Sequence, residues 1–416
     1  MPRSRGSRAV ALAAGTAAIG LFAAGCAAPA ESSDAEVVEL RMLVNISPVL
    51  TVEYWESLVA PFEEANPNIS VVIEVPSADD IPTTVQQQLA SGDTADVVGW
   101  ELGAVVASQL TTFPEEDWVL STPLVEESRV NGEVKTVHTS QQTQSLVFYN
   151  VDAFAAAGIE EVPASVEEFT EALRALAAAG FVPLQTSGEW TTGPQFTIAA
   201  SPDLLGNEPD FFAQRNAGDV TFVDSAWEEY LQFYETWIAE GLVPSDALGV
   251  AYPDGIAAFA SGNVGAYIMP AFVIPTIEDA APAFEVGVAP TPTLDGSTPK
   301  QVSAGAQSYS IMADSPHQEE ALALVEYLVS DEDAIRTALE TESTFRAGIS
   351  YEASPLTMKV AEIVDAAPGQ VTGTATPETP LGFQDAINTA VQALYTGSTA
   401  RAAMEALDEF WDANAL

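Results

Sequence analysis

Residues that could carry nucleophilic, metal-dependent or phosphate chemistry are scarce in this 416-residue chain, which has two histidines and one cysteine. His138 lies in a mixed polar segment and His317 at the start of a predicted helix, and neither has a metal-binding partner four residues away. The chain contains no Gly-x-Ser-x-Gly elbow, no Gly-x-x-x-x-Gly-Lys loop and no calcium-loop spacing. We interpret both histidines as surface residues and predict no catalytic group, no metal and no cofactor.

Carboxylates, in contrast, are abundant. The chain has 60 Asp and Glu residues but only 13 Lys and Arg, which gives a net charge of −47. Paired carboxylates can hydrolyse glycosidic bonds, but so many acids make no single pair informative, and a secreted glycoside hydrolase remains an alternative. The acidic excess argues against binding to nucleic acid or to anionic lipid surfaces. Since the acids are spread along the chain, we interpret them as a solvated surface.

The N-terminus has the pattern of a secretory signal. Arg3, Arg5 and Arg8 precede an apolar stretch from residue 9 to 22, and small residues lead to the single cysteine, Cys26. The stretch is short for a span of a ~30 Å hydrocarbon layer. We predict a signal peptide over 1–25, a flexible tether over 26–36, and no intramolecular disulfide.

Strand and helix patterns alternate in the first part of the mature chain. Residues 38–44 predict a strand, and Trp55, Leu58 and Phe62 fall at helical spacing, with Pro61 predicting a kink or a break. Residues 69–75 and 95–100 predict further strands, with a helix around 85–89 between them. The order β-α-β-α-β predicts a sheet with parallel strands covered by helices.

Helix boundaries are clearer in the rest of the chain. Ser165 with Glu168 forms a capping box, and Ser225 with Glu228 predicts a second helix start. Ser315-Pro316 predicts a third helix start, and residues 368–380, rich in Gly, Thr and Pro, predict a long loop. The fold class is therefore α/β, and about 390 mature residues exceed one typical domain, which predicts two lobes.

Several segments together resemble a known family. The residues before Cys26 resemble the lipobox of bacterial lipoproteins, with Ala23 where leucine is more usual. Behind it, five segments resemble, in order, the extracellular solute-binding proteins of ABC importers, family 1, which bind sugars and oligosaccharides. These segments are 55–69, 89–98, 146–169, 258–267 and 287–292.

The resemblance implies a two-lobed, periplasmic-binding-protein-like fold, with each lobe a sheet flanked by helices and a ligand cleft between them. The implied crossings lie near 143–145, 300–304 and 341–346. The N-terminal lobe then takes 37–143 and 303–342, and the C-terminal lobe takes 145–300 and 346–416. Ligand binding is expected to shift a hinge equilibrium toward a closed form.

A cleft for sugars needs aromatic platforms for the C–H faces and planar polar groups for the hydroxyls. Trp100 follows a strand at the place where ligands of open α/β sheets lie, and core packing is its alternative. Trp190 lies in a polar loop, and Phe272 occupies a position where the family often has tryptophan. Trp227, Trp237 and Trp411 are expected to be core. The polar candidates are Asn45, Asp96, Glu101, Thr143, Gln144, Gln307, Arg346 and Gln384, with a surface salt bridge as the alternative for Arg346.

The leading hypothesis is a non-catalytic, monomeric lipoprotein, anchored through Cys26 on the extracytoplasmic face of the membrane. It would capture a mono- or oligosaccharide and deliver it to the permease subunits of an ABC transporter. Two alternatives remain, a binder of another small solute (a polyamine, an amino acid or a peptide) and the glycoside hydrolase.

Overall fold

Strands and helices alternate along the chain after residue 36. The computed structural model describes residues 37–77, 81–102, 104–374, 376, 378–380 and 382–414, and Cys26 lies outside them. The strands are β1 (Val38–Val44), β2 (Ile69–Glu74), β3 (Val97–Gly99), β4 (Arg129–Val130), β5 (Glu133–Val134), β6 (Val137–Thr143), β7 (Leu146–Asn150), β8 (Val182–Gln185), β9 (Val264–Met269), β10 (Val286–Pro290), β11 (Gln301–Ile311) and β12 (Gln370–Thr372). The α-helices are α1 (Val52–Ala65), α2 (Ile81–Ser91), α3 (Asp117–Leu120), α4 (Val151–Ala156), α5 (Val166–Ala178), α6 (Thr192–Asn207), α7 (Phe211–Ala217), α8 (Ala226–Ala239), α9 (Tyr252–Ala258), α10 (Ile274–Asp279), α11 (Gln318–Ser330), α12 (Glu332–Glu342), α13 (Pro355–Ala366), α14 (Phe383–Leu394) and α15 (Ala400–Asn414).

The first sheet has the strand order β12-β11-β3-β1-β2, and β6 also pairs with β11. β1 is parallel to both β2 and β3, and Val44 lies opposite Gly99. The parallel arrangement predicted from the element order is therefore confirmed. Trp55 and Phe62 on α1 and Leu324 on α11 are buried with the strand residues in one apolar core. We call this sheet and its helices the first lobe.

The second sheet has the strand order β10-β7-β9-β8. β8 and β9 are parallel, whereas β7 is antiparallel to both β9 and β10. A core rich in aromatic rings joins helices α5, α6, α8, α14 and α15 to it, and Trp227, Trp237 and Trp411 are at most 1% exposed. The prediction that these three tryptophans pack in the core is confirmed. We call this sheet and its helices the second lobe.

Among the segments that join the lobes, two are extended chain. Gln144 and Ser145 lie between β6 of the first lobe and β7 of the second, and we call them the connection. β11 begins beside β12, continues antiparallel to β6 and ends beside β3. Because its hydrogen-bond partners change along its length, this one strand runs from the connection into the first sheet.

Two carboxylates of the C-terminal helix, Asp408 and Asp412, bind Arg215 of the second lobe, and Asp412 Oδ1 accepts from Arg215 Nη2 (2.6 Å). Asp408 on α15 accepts hydrogen bonds from the backbone N–H groups of Phe222 (2.8 Å) and Val223 (3.1 Å) and from Arg215 Nε (3.2 Å). The Arg215 guanidinium also lies about 6 Å from the ring centroids of Phe222 and Trp411, within the range of cation–π attraction. Arg215 is only 5% exposed, so a charge buried among aromatic rings has both an ionic and an aromatic partner.

At most of the helix ends, the capping residues predicted from the sequence agree with the structure. Ser165 and Ser225 are the N-caps of α5 and α8, and their hydroxyls accept from the N–H groups of Glu168 and Trp227. The break expected at Pro61 is wrong, because α1 continues through it to Ala65. A proline within a helix removes one backbone donor, and the buried face of α1 outweighs that loss.

Two other predictions need adjustment. The helix expected to start at Ser315-Pro316 begins at Gln318, and the Ser315 hydroxyl accepts from the His317 N–H just before it. The segment 368–380 is not wholly a loop, because Gln370–Thr372 forms β12 alongside the start of β11. None of the helices in the described part of the chain is both long and apolar enough to cross a membrane.

Candidate binding site between the two lobes

The carboxyl ends of the parallel strands in both lobes lie beside the connection. In the first lobe β1 and β3 end together at Val44 and Gly99, and antiparallel β11 brings its N-terminal half to the same edge. In the second lobe β8 ends beside β9, and β7 begins at Leu146 directly opposite Met269, the last residue of β9. Ligands of open α/β sheets lie beyond such edges.

A cavity of about 140 Å³ lies at this place. The first lobe contributes Glu101, Glu127 and His138 to its wall, and Gln144 of the connection and Gly305 of β11 form part of its floor. The second lobe contributes Thr197 on α6, Thr374 after β12 and Gln384 on α14. Both lobes and the segments joining them therefore build one polar cavity.

Apolar residues are exposed near the strand edges of both lobes. Of the ten large apolar residues that are exposed in the described chain, four lie at the two strand edges or beside the Trp190 loop. Ile46 and Trp100 (40% exposed) follow β1 and β3, and Trp190 (44% exposed) follows β8 with Leu248 against its loop. An exposed tryptophan at each edge provides an apolar face for a flat ring with C–H groups.

Three aromatic rings form a continuous series in the second lobe. Trp190 lies 5.0 Å from Tyr252 between ring centroids, and Tyr252 lies 6.4 Å from Phe272 in an edge-to-face arrangement. Tyr252 is buried and Phe272 half-buried. The buried tyrosine thus supports the exposed tryptophan from below.

The loop that carries Trp190 is held by α14. The Asn388 side chain accepts from Thr192 Oγ1 (2.7 Å) and from the Gly193 N–H (2.9 Å), and it donates to the Glu189 carbonyl (2.6 Å). Glu189 has a φ of +54°, a left-handed conformation that is unfavourable for a residue with a Cβ. The bonds from Asn388 compensate for that strain, and they fix the residue preceding the tryptophan.

Space around this loop is equally restricted. A Cβ on Gly193 would lie 2.4 Å from Asn388 Cα, and a Cβ on Gly188 would lie 2.2 Å from the Leu248 carbonyl oxygen. Real Cβ atoms do not approach other atoms this closely. Only glycine therefore allows the loop to approach α14 and the Leu248 segment at these two points.

His138 is a buried residue of the cavity wall, and the prediction that it lies on the surface is wrong. Its Nε2 lies 2.6 Å from Ser128 Oγ and its Nδ1 lies 2.7 Å from Ser308 Oγ. Burial lowers the pKa of His138 to about 4, so the ring is neutral near pH 7. A Cβ on Gly305 would lie 2.2 Å from Nδ1, so the ring lies directly against the backbone of β11.

Both ring nitrogens of His138 have hydrogen-bond partners. The Ser128 hydroxyl lies within hydrogen-bond distance of the Leu124 carbonyl (3.0 Å) as well as of Nε2. A neutral imidazole donates through one nitrogen and accepts through the other, so the two serine hydroxyls satisfy both nitrogens. This network ties the segment Leu124–Ser128 to the strand that joins the lobes.

Glu101 is the other perturbed group of the cavity. It follows Trp100 and is half-buried, and this desolvation raises the pKa of its carboxyl to about 7. A hydrogen-bond donor brought by a ligand would stabilise the ionised form.

The match to a family model agrees with this geometry. Residues 49–335 match the model described as bacterial extracellular solute-binding protein. The chain belongs to this family. The solute-binding protein thus has its polar cavity between two lobes, and the predicted family and α/β fold class are both confirmed.

Similar proteins of known sequence and structure point to the same fold. The chain is 24% identical over 313 residues to the multiple sugar-binding protein of Streptococcus mutans, a stretch that covers 68% of this chain and 71% of that protein. A chitin oligosaccharide binding protein superposes with a TM-score of 0.78 at 19% identity, covering 91% of this chain and 99% of that one. The protein RafE in complex with raffinose gives 0.74 at 19% identity, covering 90% and 99%. A sugar transporter from Bacillus licheniformis in complex with stachyose gives 0.73 at 18% identity, again covering 90% and 99%.

These likenesses establish a two-lobed solute-binding fold. The family and the structures are of binding and transport proteins, not of enzymes, which is consistent with the predicted lack of catalysis.

Some predicted site residues lie at or near the cavity of the solute-binding protein. Glu101, Gln144 and Gln384 line it, and Gln384 Nε2 donates to Thr374 Oγ1 (3.0 Å). Trp100 and Asn45 lie at the first-lobe edge. Trp190 and Phe272 lie at the second-lobe edge, joined through Tyr252.

Two predicted residues are engaged within the first lobe instead. The Asp96 carboxylate accepts from the Arg41 N–H and from the Ser315 hydroxyl. Gln307 is buried, its Nε2 donates to the Tyr54 hydroxyl (2.7 Å), and its Oε1 accepts from the Tyr309 hydroxyl (3.3 Å). In this conformation both side chains are therefore bonded to partners of the first lobe.

Arg346 and Thr143 are also structural in this conformation. Arg346 Nη1 donates to the carbonyls of Thr139 (3.1 Å) and Val329 (2.7 Å), and burial lowers its pKa. Its Nη1 is thus bonded to backbone carbonyls rather than to a surface carboxylate. Thr143 is buried at the end of β6, opposite Ser303 of β11.

His138, Tyr252 and Asn388 were not predicted from the sequence as residues of the site. Asn388 lies 195 residues from Gly193 in the chain, and His138 lies 170 residues from Ser308. No local pattern marks such pairs. Gly188 and Gly193 on either side of Trp190 were the available signal, since a glycine can mark close backbone approach.

Proposed function

We propose that this solute-binding protein captures a carbohydrate between its lobes and delivers it to an ABC permease without chemical change. The observation that carries the proposal is the pair of exposed tryptophans, Trp100 and Trp190, one at the carboxyl edge of each lobe, with a polar cavity between the lobes. Aromatic faces with polar groups nearby are what the C–H faces and hydroxyls of a sugar require.

The similar proteins support a sugar as the ligand. One is named a multiple sugar-binding protein, and three structures have titles that name chitin oligosaccharide, raffinose and stachyose. We assign Trp100, Trp190 and Phe272 as platforms, and Glu101, Gln144 and Gln384 as partners for hydroxyls. Asn45 remains a further hydroxyl partner in this proposal.

The proposed division of the chain follows the apolar cores. We assign 37–143 and 303–342 to the first lobe, and 145–300 and 346–416 to the second. The cores support this division, because one draws only on residues 40–137 and 309–334, and another only on 147–268 and 383–411 among its buried members. Closure about the connection would bring the two platforms onto the same ligand.

Trp190→Ala tests the site. Removing the platform should weaken saccharide binding by about 10- to 100-fold and leave the unfolding midpoint nearly unchanged, because Trp190 is exposed. Trp118→Ala is the matched control, since Trp118 packs edge-to-face on Phe113 away from the cavity and should affect stability but not affinity. Calorimetry and tryptophan fluorescence with mono- to tetrasaccharides provide the measurement, and a folded protein that binds none of them would refute the assignment.

The same experiment decides between binding and hydrolysis. Glu101 and Glu127 both line the cavity, and a pair of carboxylates is what a glycoside hydrolase would need. Incubation with nitrophenyl glycosides should release no nitrophenol. Turnover that is lost in Glu101→Gln would replace the binding proposal with an enzymatic one.

Membrane attachment belongs to the same proposal. We propose that the protein is a monomer, exported by the signal over 1–25 and held on the outer face of the membrane by lipid on Cys26. Anchoring raises the local concentration of the binder near its permease, and several acyl chains hold more durably than one. Cys26→Ser should release the protein from the membrane fraction with unchanged ligand affinity, and a variant that stays in the membrane would refute the anchor.

A further inference from the structure

The titratable groups in the cavity wall between the lobes carry no positive charge at neutral pH. They are Glu101, Glu127 and His138, and no lysine or arginine lies in the wall among the residues that the structure describes. His138 is buried and neutral near pH 7. The nearby Arg346 is turned away to the carbonyls of Thr139 and Val329. A negatively charged group of a ligand would find no counter-ion here.

One hydroxyl of the wall can only accept hydrogen bonds from a ligand. The Thr197 hydroxyl donates its proton to the Pro194 carbonyl (3.0 Å). A hydroxyl has one proton, so this oxygen offers lone pairs alone. Thr374 accepts from Gln384 and keeps its own proton, so the wall also has a neutral donor.

A helix N-terminus at the cavity does not reverse this preference. The first turn of α6 faces the cavity through Pro194 and Thr197, and the positive end of a helix dipole attracts anions through free N–H groups. Here the Gly193 N–H is taken by Asn388 Oδ1 and the Gln195 N–H by the Thr191 carbonyl, and Pro194 has none. The N–H groups of Gly193 and Gln195 are therefore unavailable to a ligand.

Among the residues that the structure describes, Glu101 has no partner that would compensate for its burial. Desolvation raises its pKa, and neither a cation nor a hydrogen-bond donor of the described chain offsets it. The Thr376 hydroxyl of the same wall also has no partner among the described residues. Both groups indicate that hydrogen bonds are completed by a ligand.

We infer that the cavity selects saccharides whose end next to Gln144 carries only hydroxyl or amine groups, and that it rejects saccharides with a carboxylate or phosphate there. Glu101 and Glu127 are the specificity-determining residues. This inference rests on the proposed carbohydrate-binding function and adds the charge class of the ligand to it. A negative group near two carboxylates without a cation would weaken binding by about 100-fold.

Matched probes test the inference by calorimetry on the full-length protein. The neutral probes are cellotriose, chitotriose and raffinose, the amine probe is the chitosan trimer, and the anionic probes are trigalacturonate and the uronic-acid counterpart of cellotriose. We expect at least one neutral or amine probe to bind, and the anionic probes to bind about 100-fold more weakly than it or not at all. The double variant Glu101→Gln with Glu127→Gln should reduce this discrimination to about 10-fold or less. Glu409→Gln, which removes one exposed charge from α15, is the control and should leave the discrimination unchanged.

The outcomes separate the two proposals. An anionic probe that binds within about threefold of the best neutral probe overturns the inference and leaves the carbohydrate function standing. Discrimination that the double variant does not reduce overturns the role of the two glutamates. If no neutral, amine or anionic probe binds to a protein that still unfolds cooperatively, the carbohydrate function itself fails, and the inference fails with it.

Discussion

Asn388 on α14 should matter more for ligand binding than for the stability of the second lobe as a whole. Asn388→Ala removes the bonds to Thr192 Oγ1, to the Gly193 N–H and to the Glu189 carbonyl, which measure 2.7, 2.9 and 2.6 Å. At about 1 kcal/mol net for each hydrogen bond, the loop around Trp190 loses roughly 2–3 kcal/mol. One restraint remains, because Gln392 Nε2 still donates to the Glu189 carbonyl (2.8 Å).

The affinity for the ligand depends on the fraction of molecules in which the loop holds Trp190 in its binding position. If the free protein holds Trp190 in place for only a fraction of the time, the apparent dissociation constant rises by the inverse of that fraction. A loss of about 2 kcal/mol from a loop that was well ordered gives up to a 30-fold weaker binding constant. Calorimetry measures the affinity, and urea unfolding should show a global loss of no more than about 3 kcal/mol.

Two further variants test the reasoning. Asn388→Asp keeps an oxygen to accept from Thr192 and Gly193 but loses the donor to Glu189, so its affinity should lie between wild type and Asn388→Ala. Asn414→Ala removes an exposed asparagine whose Nδ2 donates to the Phe410 carbonyl on α15 and should change neither quantity. Wild-type affinity in Asn388→Ala, together with weakened binding in Trp190→Ala, would show that Asn388 does not position the platform.

Four other changes of sequence or solution conditions give defined expectations. Gly305→Ala places a Cβ 2.2 Å from His138 Nδ1 and should cost about 2–4 kcal/mol in urea unfolding, and a loss below 0.5 kcal/mol would contradict the packing described. Asp408→Asn breaks one of the two ion pairs of buried Arg215 and weakens the bonds from the Phe222 and Val223 N–H groups. It should cost about 2–3 kcal/mol in the same assay, whereas exposed Glu409→Gln should be neutral. Raising NaCl from about 0.05 to 1 M should raise the unfolding midpoint, because salt screens the repulsion within a chain of net charge −47. Burial raises the pKa of Glu101 and of Glu342 to about 7, so the folded state holds protons that the unfolded chain releases near 4.5. This stabilisation is complete below pH 4.5 and is lost as pH rises through 7, so the midpoint should be higher at pH 5.5 than at pH 8, and Glu342→Gln should reduce the difference.

The sequence is sufficient to predict the alternation of strands and helices because the signals for it are local. The stripe through Trp55, Leu58 and Phe62 and the capping residues Ser165 and Ser225 all act within a few neighbours in the chain. β12 could not be predicted this way. It has three residues in a segment rich in Gly, Thr and Pro, and it forms because β11 offers an unpaired edge to Gln370–Thr372.

The site could be predicted only in part, because burial of a polar residue is decided by distant partners. Trp190 stood out because a tryptophan between Gly188 and Gly193 in a polar loop is unusual. His138 did not, since its neighbours in sequence are polar and only Ser128, Ser308 and Gly305 together enclose it. Asn388 lies on an ordinary amphipathic helix, and nothing near it in the chain indicates the loop that it holds.

A common rule separates the polar residues that fix the lobes from those that are left for a ligand. In the described chain, Gln307 is the one non-glycine residue within a strand that has a positive φ (+46°). This backbone conformation costs about 1–3 kcal/mol. Tyr54 and Tyr309 hold its amide and make that strain tolerable, so the side chain is committed to the shape of β11. Glu101 lies at the edge of the same sheet, and no donor among the described residues offsets the burial of its carboxyl. Both residues have long polar side chains on or beside strands of one sheet. A partner far away in the chain commits Gln307 to the framework, and the lack of such a partner among the described residues leaves Glu101 for a ligand.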